Sequence, residues 1–507
     1  MDAQYQYFVE GQTAIASFFT TNKIICKMSE SKSSFRVVVI GAGVTGLVAS
    51  HCLYRAGIDH IVLEKRENVA PPEGASIAMY PHGTRVLHQL GCLKAVEEAC
   101  VPTKRWWHRG PDGKNLMDNG FFLHLEDNFN YNYILLERRK FLEILYDTLP
   151  DKSRIRTGCQ VADVEHVADG VKVTLSNGEV EAGDIVFGCD GTYSNVRSMM
   201  WEYANKMTPG LITTKEKTSY LTEWKAVVGV APAMPGGLGD RDMVSVSDKG
   251  RTFISFSQPD YIYFFFIFQL DEPFRFPKRA NPNDPTAEEL AETVLDHPVS
   301  ESMVFGELWK KRLRGDLIYL EDGIMEHWHA GRIVLVGDAV HKTTPNMGFG
   351  GNCGIEDVAV LCNNLNRLLL SCKGRKPSTV ELGQAFEAYK TQRMPAVKKV
   401  AELCRLVTKV QVWQSPWYKF VDTWVFPLQA DKAISNQVSE IIRAGAKLDY
   451  VDDSGCFSGS MPWIDEKETG SARTLVSSSI VLGVAAVFML AFQGVRFNTI
   501  LPTSITG

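Results

Sequence analysis

The chain has 507 residues, 45% of them hydrophobic, enough to bury a large core and long enough for roughly two or three domains. A net charge of −5 and a pI near 6.2 give no overall attraction to a phosphate backbone, and no long basic run interleaved with aromatics is present, which argues against nucleic acid as a partner. The 11 cysteines are scattered without a C-x-x-C pair, so neither a disulfide framework nor a cysteine zinc site is expected, and the thiols read as reduced.

Residues 1–34 lack a cationic start followed by an apolar run and a small-residue cleavage site, so no secretory signal is expected and the segment reads as a disordered N-terminal extension. Met28, followed by the polar lead Ser29 to Ser34, is an alternative start. The apolar run Phe35 to Ile40 then reads as a buried parallel strand, and the turn Gly41-Ala42-Gly43-Val44-Thr45-Gly46 opens a helix carrying Leu47, Val48, Leu53 and Tyr54 at helical spacing. Gly41 permits the tight turn, Gly43 lets the backbone approach a pyrophosphate, and Gly46 lets helix and strand pack closely, with free helix N–H groups facing the anion. A second strand, Ile61-Val62-Leu63, ends in Glu64, an acid about 20 positions after the glycines, where a carboxylate accepts from a ribose diol and repels a 2′-phosphate. The set reads as a dinucleotide site, with a glycine-rich structural turn as the alternative.

Val171 to Leu175, the turn Ser176-Asn177-Gly178, and Ile185-Val186-Phe187 read as short strands with hairpin chemistry. They lead to Asp190-Gly191 and a helix bearing Arg197, a segment that fits a capped helix start and a cofactor-facing turn equally well. The strands Lys225 to Val230 and Tyr261 to Phe268 are expected to build the sheet of a substrate domain. The second is nearly all aromatic, suited either to a sandwich core or, on one face, to an apolar pocket.

Arg332 to Val336 is a further buried strand ending at Gly337-Asp338-Ala339, and Thr343 to Asn352 is a glycine-rich loop opening a helix, a second helix N-terminus suited to a phosphate or flavin. Asp338 can accept from a ribityl hydroxyl, and bare backbone near Gly350 and Gly351 can lie against a flat ring. His327, His329 and His341 stand in no paired ligand spacing beside a carboxylate cluster, so no metal is expected. Glu356-Asp357 reads as a solvated or capping pair, and the aromatic stretch Val412 to Phe420 as core packing or a membrane-interface contact. After a linker rich in Gly, Ser and acidic residues (Asp452 to Ser471), the uncharged stretch Thr474 to Val495 has the roughly 20 residues of a membrane-spanning helix, a buried core helix being the alternative.

The G-x-G-x-x-G turn with distant Glu64, then Asp190-Gly191, then Gly337-Asp338-Ala339 with Pro345-Asn346-Met347-Gly348, resembles the aromatic-hydroxylase class of FAD-dependent monooxygenases, of which para-hydroxybenzoate hydroxylase is the prototype. The similarity spans roughly Phe35 to Val410. Within that class, Glu64-Lys65-Arg66, Gly74-Ala75-Ser76-Ile77, Leu136-Glu137-Arg138 and Gly337 to Lys342 followed by Thr344-Pro345-Asn346 are similar to the fungal branch of paxilline-pathway epoxidases and meroterpenoid monooxygenases, which a C-terminal hydrophobic helix also fits. Residues and resemblance together imply an α/β architecture. A Rossmann-like FAD-binding domain is discontinuous (35–215 and 317–410), a mixed β-sheet substrate domain lies between (216–316), and a C-terminal helical region and linker (411–472) precede a transmembrane helix (474–495).

The resemblance implies FAD contacts at Glu64, Arg138 and Asp338, beside the turn glycines Gly41, Gly43 and Gly46. Ala78 stands where the class often has glycine and Gly351 where it often has alanine; both are small and act through backbone atoms. Arg197 falls on the arginine that the class uses near its active site and is the catalytic candidate, whereas the tyrosine of the following strand is replaced, with Trp224 as the candidate substitute. The implied chemistry is reduction of the flavin by NADPH, activation of O2, and transfer of one oxygen atom to an electron-rich alkene of an apolar prenylated substrate. The product would be an epoxide in fungal terpenoid, meroterpenoid or indole-diterpene metabolism, with a downstream terpene cyclase as a partner. No second G-x-G-x-x-G is present for NADPH, consistent with transient docking in a groove. The implied location is a membrane, by a single-pass C-terminal anchor in the endoplasmic reticulum facing the cytoplasm. Two other readings stay open: a ring hydroxylase of the salicylate-hydroxylase type, and a flavin-binding module without oxygenation.

Overall fold

The computed structural model describes residues 35–466 apart from 73, 235–237, 280–283 and 454. The first apolar run forms β1 (Arg36–Ile40), buried from Val37 onward, and the glycine turn leads through α1 (Val44–Arg55) to β2 (Asp59–Leu63), which lies parallel to β1. There follow β3 (Ser76–Met79), α2 (Pro81–Leu90), β4 (Arg105–Arg109), β5 (Asn115–Asn119), α3 (Phe121–Phe129), β6 (Ile134–Glu137), α4 (Arg138–Asp147) and β7 (Ile155–Arg156). An antiparallel sheet of β8 (Val161–Val167), β9 (Gly170–Leu175) and β10 (Val180–Gly183) precedes β11 (Ile185–Gly188) and α5 (Asn195–Met207). Long strands come next: β12 (Leu221–Pro232), β13 (Asp242–Asp248), β14 (Arg251–Ser257), β15 (Tyr261–Arg275) and β16 (Arg314–Ile324). The chain then adds β17 (His329–Ala330), β18 (Ile333–Leu335) and β19 (His341–Lys342), and closes with α6 (Gly350–Ser371), α7 (Thr379–Gln411) and α8 (Asp431–Ile442).

Two large sheets organise the molecule. The first has six strands in the order β17-β18-β11-β1-β2-β7, parallel except for the β17–β18 pair. Its central strands are buried on both faces, between helices and the antiparallel sheet of β8 to β10, and are apolar throughout rather than alternating. At the carboxyl ends of β1, β11 and β18 stand the turns at Gly41, Cys189-Asp190 and Gly337, the crevice where ligands of open α/β sheets bind.

The second sheet has eight strands in the order β19-β16-β12-β15-β14-β13-β4-β5. Strands β4 and β5 reach it from the middle of the first segment, β4 pairing parallel with β13 so that His108 lies opposite Ser245. Strand alternation resolves the aromatic run of β15 into two faces. Phe264, Phe266 and Phe268 enter a separate core with Phe305, Leu308 and Trp309, while Phe265 and Ile267 face the main core.

The membrane-spanning helix expected from the sequence is corrected, and with it the single-pass anchor in the endoplasmic reticulum. Among the described residues no helix is long and apolar enough to cross a membrane. The stretch 474–495 and the extension 1–34 lie outside the described residues. The longest described helix, α7, is 33 residues long but carries Lys, Glu and Arg along its length.

Candidate active site

The glycine turn between β1 and α1 is built as its spacing requires. Gly41 has φ +101°, and a Cβ there would lie 2.6 Å from the Cys189 carbonyl oxygen, while a Cβ on Gly46 would lie 1.8 Å from the Gly41 oxygen. Gly43 differs: a Cβ there meets no atom within 4 Å. The backbone at Gly43 therefore faces open space at the N-terminus of α1, whose N–H groups receive no side-chain cap. Glu64 is buried, and its carboxylate accepts from the Ala42 N–H at 2.8 Å and the Arg66 N–H at 3.0 Å. A carboxylate offers about four acceptor positions, so two remain for ribose hydroxyls.

A cavity of about 320 Å³ brings Gly43, Ala78, Arg138, Asp338 and Gly351 together from five separate segments. Gly41, Gly46 and Glu64 are not among its lining residues. Gly350, at the start of α6, is open to it: a Cβ there would meet no atom within 4 Å, and the helix has no side-chain cap. Gly351 is tighter, since a Cβ there would lie 2.9 Å from Ile77. Asn352 locks this loop to β3, its amide nitrogen donating to the Ala78 and Gly348 carbonyls at 2.9 and 3.0 Å and its oxygen accepting from the Tyr80 N–H at 2.9 Å. Ala78 thus has its carbonyl engaged by Asn352 and contributes a small side chain beside Gly348.

Asp338 lies on the short turn Gly337–Ala339 and forms an ion pair with Lys342 at the cavity wall. Burial works against the Lys342 charge, but Asp338 more than offsets it and holds the ammonium above its ordinary pKa. Nothing in the sequence singles out Lys342; a cation four residues after an acid is a common surface pattern, and only the fold places it in the cavity. Arg197 is fully buried and lines neither this cavity nor the larger one described below. Its guanidinium donates to the Ala339 carbonyl at 2.8 Å and the Thr192 carbonyl at 2.9 Å, packed against the rings of Trp201, Tyr220 and Phe276. Tyr220 in turn donates to the Asp338 carbonyl at 3.0 Å. Arg197 and Tyr220 thus hold the Asp338 turn from behind. Trp224 is also buried and outside both linings.

The pair Glu356-Asp357, expected to be solvated or capping, is buried at the heart of the fold. Asp357 accepts from the Gly337 N–H at 3.1 Å, from His341 at 2.5 Å and from Arg393 Nε at 2.8 Å, and Arg393 also donates to Glu356 at 2.9 Å. Burial alone would raise the Asp357 pKa, but His341 and Arg393 bring it down to about 2. Sequence pattern does not show this, because Arg393 lies a helix away on α7. Elsewhere, Glu216, Glu326 and His327 bring potential ligand atoms within 4.8 Å of one another, yet both Glu216 oxygens already bind His327, at its backbone nitrogen (2.7 Å) and Nδ1 (2.6 Å).

A second cavity, of about 810 Å³, adjoins the first through the shared lining residues Tyr133, Phe256 and Asn346. Its walls are mostly apolar: Trp106, Phe121, Phe122 and Met243 on one side, Leu403, Leu406, Val407 and Val410 of α7 and Ile434, Val438 and Ile441 of α8 on the other. Exposed Lys399, Glu402 and Glu440 stand among its lining residues, where it meets solvent. One face of the second sheet serves as floor for both cavities. Phe265 and Ile267 of β15 and Ile254 of β14 lie under the smaller, Phe256 under both, and Met243, Trp106 and His108 under the larger. Nothing in the sequence marks the helical region after residue 399 as a pocket wall, because an amphipathic stripe does not say what it faces.

Residues 34–403 match the family model described as FAD binding domain. Relatives include the FAD-dependent monooxygenase DEP2 of Alternaria brassicicola, 38% identical over 429 residues (84% of this chain, 81% of that protein). Another is the FAD-dependent monooxygenase esdpE of Penicillium shearii, 33% identical over 420 residues (82% and 86%). Among solved structures, Klebsiella pneumoniae HpxO complexed with FAD and uric acid superposes with a TM-score of 0.64 at 21% identity, covering 82% of this chain and 98% of HpxO, a likeness of fold. The open backbone at Gly43, the uncapped starts of α1 and α6 and the spare acceptors of Glu64 fit the FAD that this fold carries. The chain therefore belongs to the FAD binding domain family and is a FAD-dependent monooxygenase of the para-hydroxybenzoate-hydroxylase-like class.

Proposed function

We propose that this monooxygenase epoxidises the prenyl chain of a terpenoid, meroterpenoid or indole-diterpene intermediate of fungal secondary metabolism, with NAD(P)H as reductant. The observation that carries this reading is the large apolar cavity that opens onto the smaller one through Tyr133, Phe256 and Asn346. A pocket of that size and character suits a long hydrocarbon and keeps water from the reacting alkene.

The geometry supports the following cofactor contacts. The Gly41, Gly43 and Gly46 turn would hold the pyrophosphate on backbone N–H groups, and Glu64 would accept from the adenosine ribose. Arg138 and Asp338 would hold the ribityl chain and ring, with Ala78 and Gly351 allowing close backbone approach. Arg197, from behind, fixes the carbonyl of Ala339 and so the aim of Asp338; its part in the reaction is positioning. Bound FAD supplies O2 activation once reduced. The apolar walls orient the alkene toward it.

The test is conversion of prenylated aromatics and prenylated indoles by the FAD-loaded enzyme with NADPH or NADH under labelled O2, read by mass spectrometry. One labelled oxygen on the prenyl chain is expected. Label on the aromatic ring would overturn epoxidation in favour of ring hydroxylation.

A further inference from the structure

The large cavity is not apolar throughout. His108 and Asp422 both line it and are each 1% exposed. A histidine and a carboxylate buried together in a hydrocarbon pocket cost desolvation energy that a Phe and a Leu would not. Each is also held in place. Trp413 Nε1–H donates to Asp422 Oδ2 at 2.8 Å, and Trp106 Nε1–H donates to Ser245 Oγ at 2.8 Å, which lies 2.9 Å from His108 Nδ1.

That pattern fixes the imidazole. His108 Nε2 lies 3.1 Å from Asp422 Oδ1. An unprotonated Nε2 would set a lone pair against the carboxylate, so Nε2 carries the proton and Nδ1 accepts from the Ser245 hydroxyl. Despite its closeness to Asp422, Nε2 makes no hydrogen bond. The site therefore presents an N–H donor and a carboxylate acceptor side by side, both buried from solvent.

Position matters as much as chemistry. His108, Ser245, Ile254 and Phe265 stand opposite one another across β4, β13, β14 and β15. Three strand spacings put roughly 14 Å between His108 and Phe265, which lies under the flavin cavity. An apolar chain fastened at His108 would lie across the floor with its far carbons at the shared lining of the two cavities.

We propose that His108 and Asp422 form a hydroxyl-recognition subsite, so that the substrate is an apolar prenyl chain bearing a free alcohol or phenol at the end remote from the reacting alkene. A hydroxyl both donates to Asp422 Oδ1 and accepts from His108 Nε2–H, and it does so without bringing a second negative charge beside Asp422. An ether or ketone accepts only, and leaves Asp422 Oδ1 buried without a donor from the ligand. The proposal rests on the larger cavity being the substrate site.

The experiment measures equilibrium binding of a geranylgeranylated phenol and of its O-methyl ether to the FAD-loaded enzyme, with Val407→Trp, Asp422→Asn and His108→Phe as variants. The wild type is expected to bind the phenol about tenfold or more tightly than the ether. Asp422→Asn and His108→Phe are expected to cut that preference to about twofold or less, with the ether's own affinity little changed. Equal affinities in the wild type overturn the subsite, and need no variant to be folded. A preference that survives both variants also overturns it. Unchanged affinity for both probes in Val407→Trp, whose indole narrows the cavity between α7 and the sheet, overturns the cavity reading itself and the subsite with it.

Discussion

Gly43 and Gly46 stand three residues apart in the same turn, yet they answer to different demands. Gly46 is required by the protein itself: a methyl group there lies 1.8 Å from the Gly41 carbonyl, so Gly46→Ala must push strand and helix apart and is expected to cost ~3 kcal/mol or more. Gly43 has φ −70°, which any residue adopts, and nothing within 4 Å. Gly43→Ala should leave the apoprotein as stable as before, or slightly more so, while FAD binding weakens because the methyl occupies the space meant for the pyrophosphate. Thermal melts with and without FAD separate the two. Arg197 gives a contrasting case. Arg197→Met removes both of its hydrogen bonds to buried carbonyls, with an expected loss of about 2–4 kcal/mol and of FAD retention together. A variant that kept its flavin and its stability but lost turnover would instead put Arg197 at the reacting atoms.

Among elements, the start of α6 is fastened by charge. Asp357 links the Gly337 N–H, His341 and Arg393, so the Asp338 turn, β19, α6 and α7 meet at one carboxylate. Its folded pKa, about 2, lies below its ordinary 3.8. Stability from this group is therefore complete above pH 4 and is lost as the pH falls from 4 toward 2. Asp357→Asn is expected to be destabilised by about 3–5 kcal/mol at pH 7, since Arg393 keeps a buried charge with one partner fewer. Denaturant titrations at descending pH should then show a shallower acid fall in the variant than in the wild type. This cluster also marks where sequence reading stops. The glycine turn, Glu64 and the Asp338 loop are legible because each is a contiguous signal with its own backbone chemistry. The partners of Asp357, and the addition of β4 and β5 to the second sheet, are set by contacts more than a hundred residues or a whole helix apart, and no local period records them. The aromatic strand β15 is intermediate: its two-residue period is plain, but which face meets a cavity depends on its neighbours β14 and β12.

For the whole molecule, two joined chambers share one sheet as floor, and the smaller carries the turns that fit FAD. Val407→Trp, in α7, narrows the larger without lining the smaller, and product formation is expected to fall on the order of 100-fold while flavin content stays at the wild-type level. Loss of flavin together with activity would mean that the two chambers are not separable. The order of strands has one more consequence, in the making of the protein. In the sheet β17-β18-β11-β1-β2-β7, strand β18 covers the outer side of β11, yet it is translated about 145 residues later. Until then the apolar segment Ile185-Val186-Phe187 has an open edge, and the Asp338 loop does not exist. A nascent or truncated chain ending before residue 333 therefore exposes a strand ready to pair with another copy and has no completed site through which FAD could protect it.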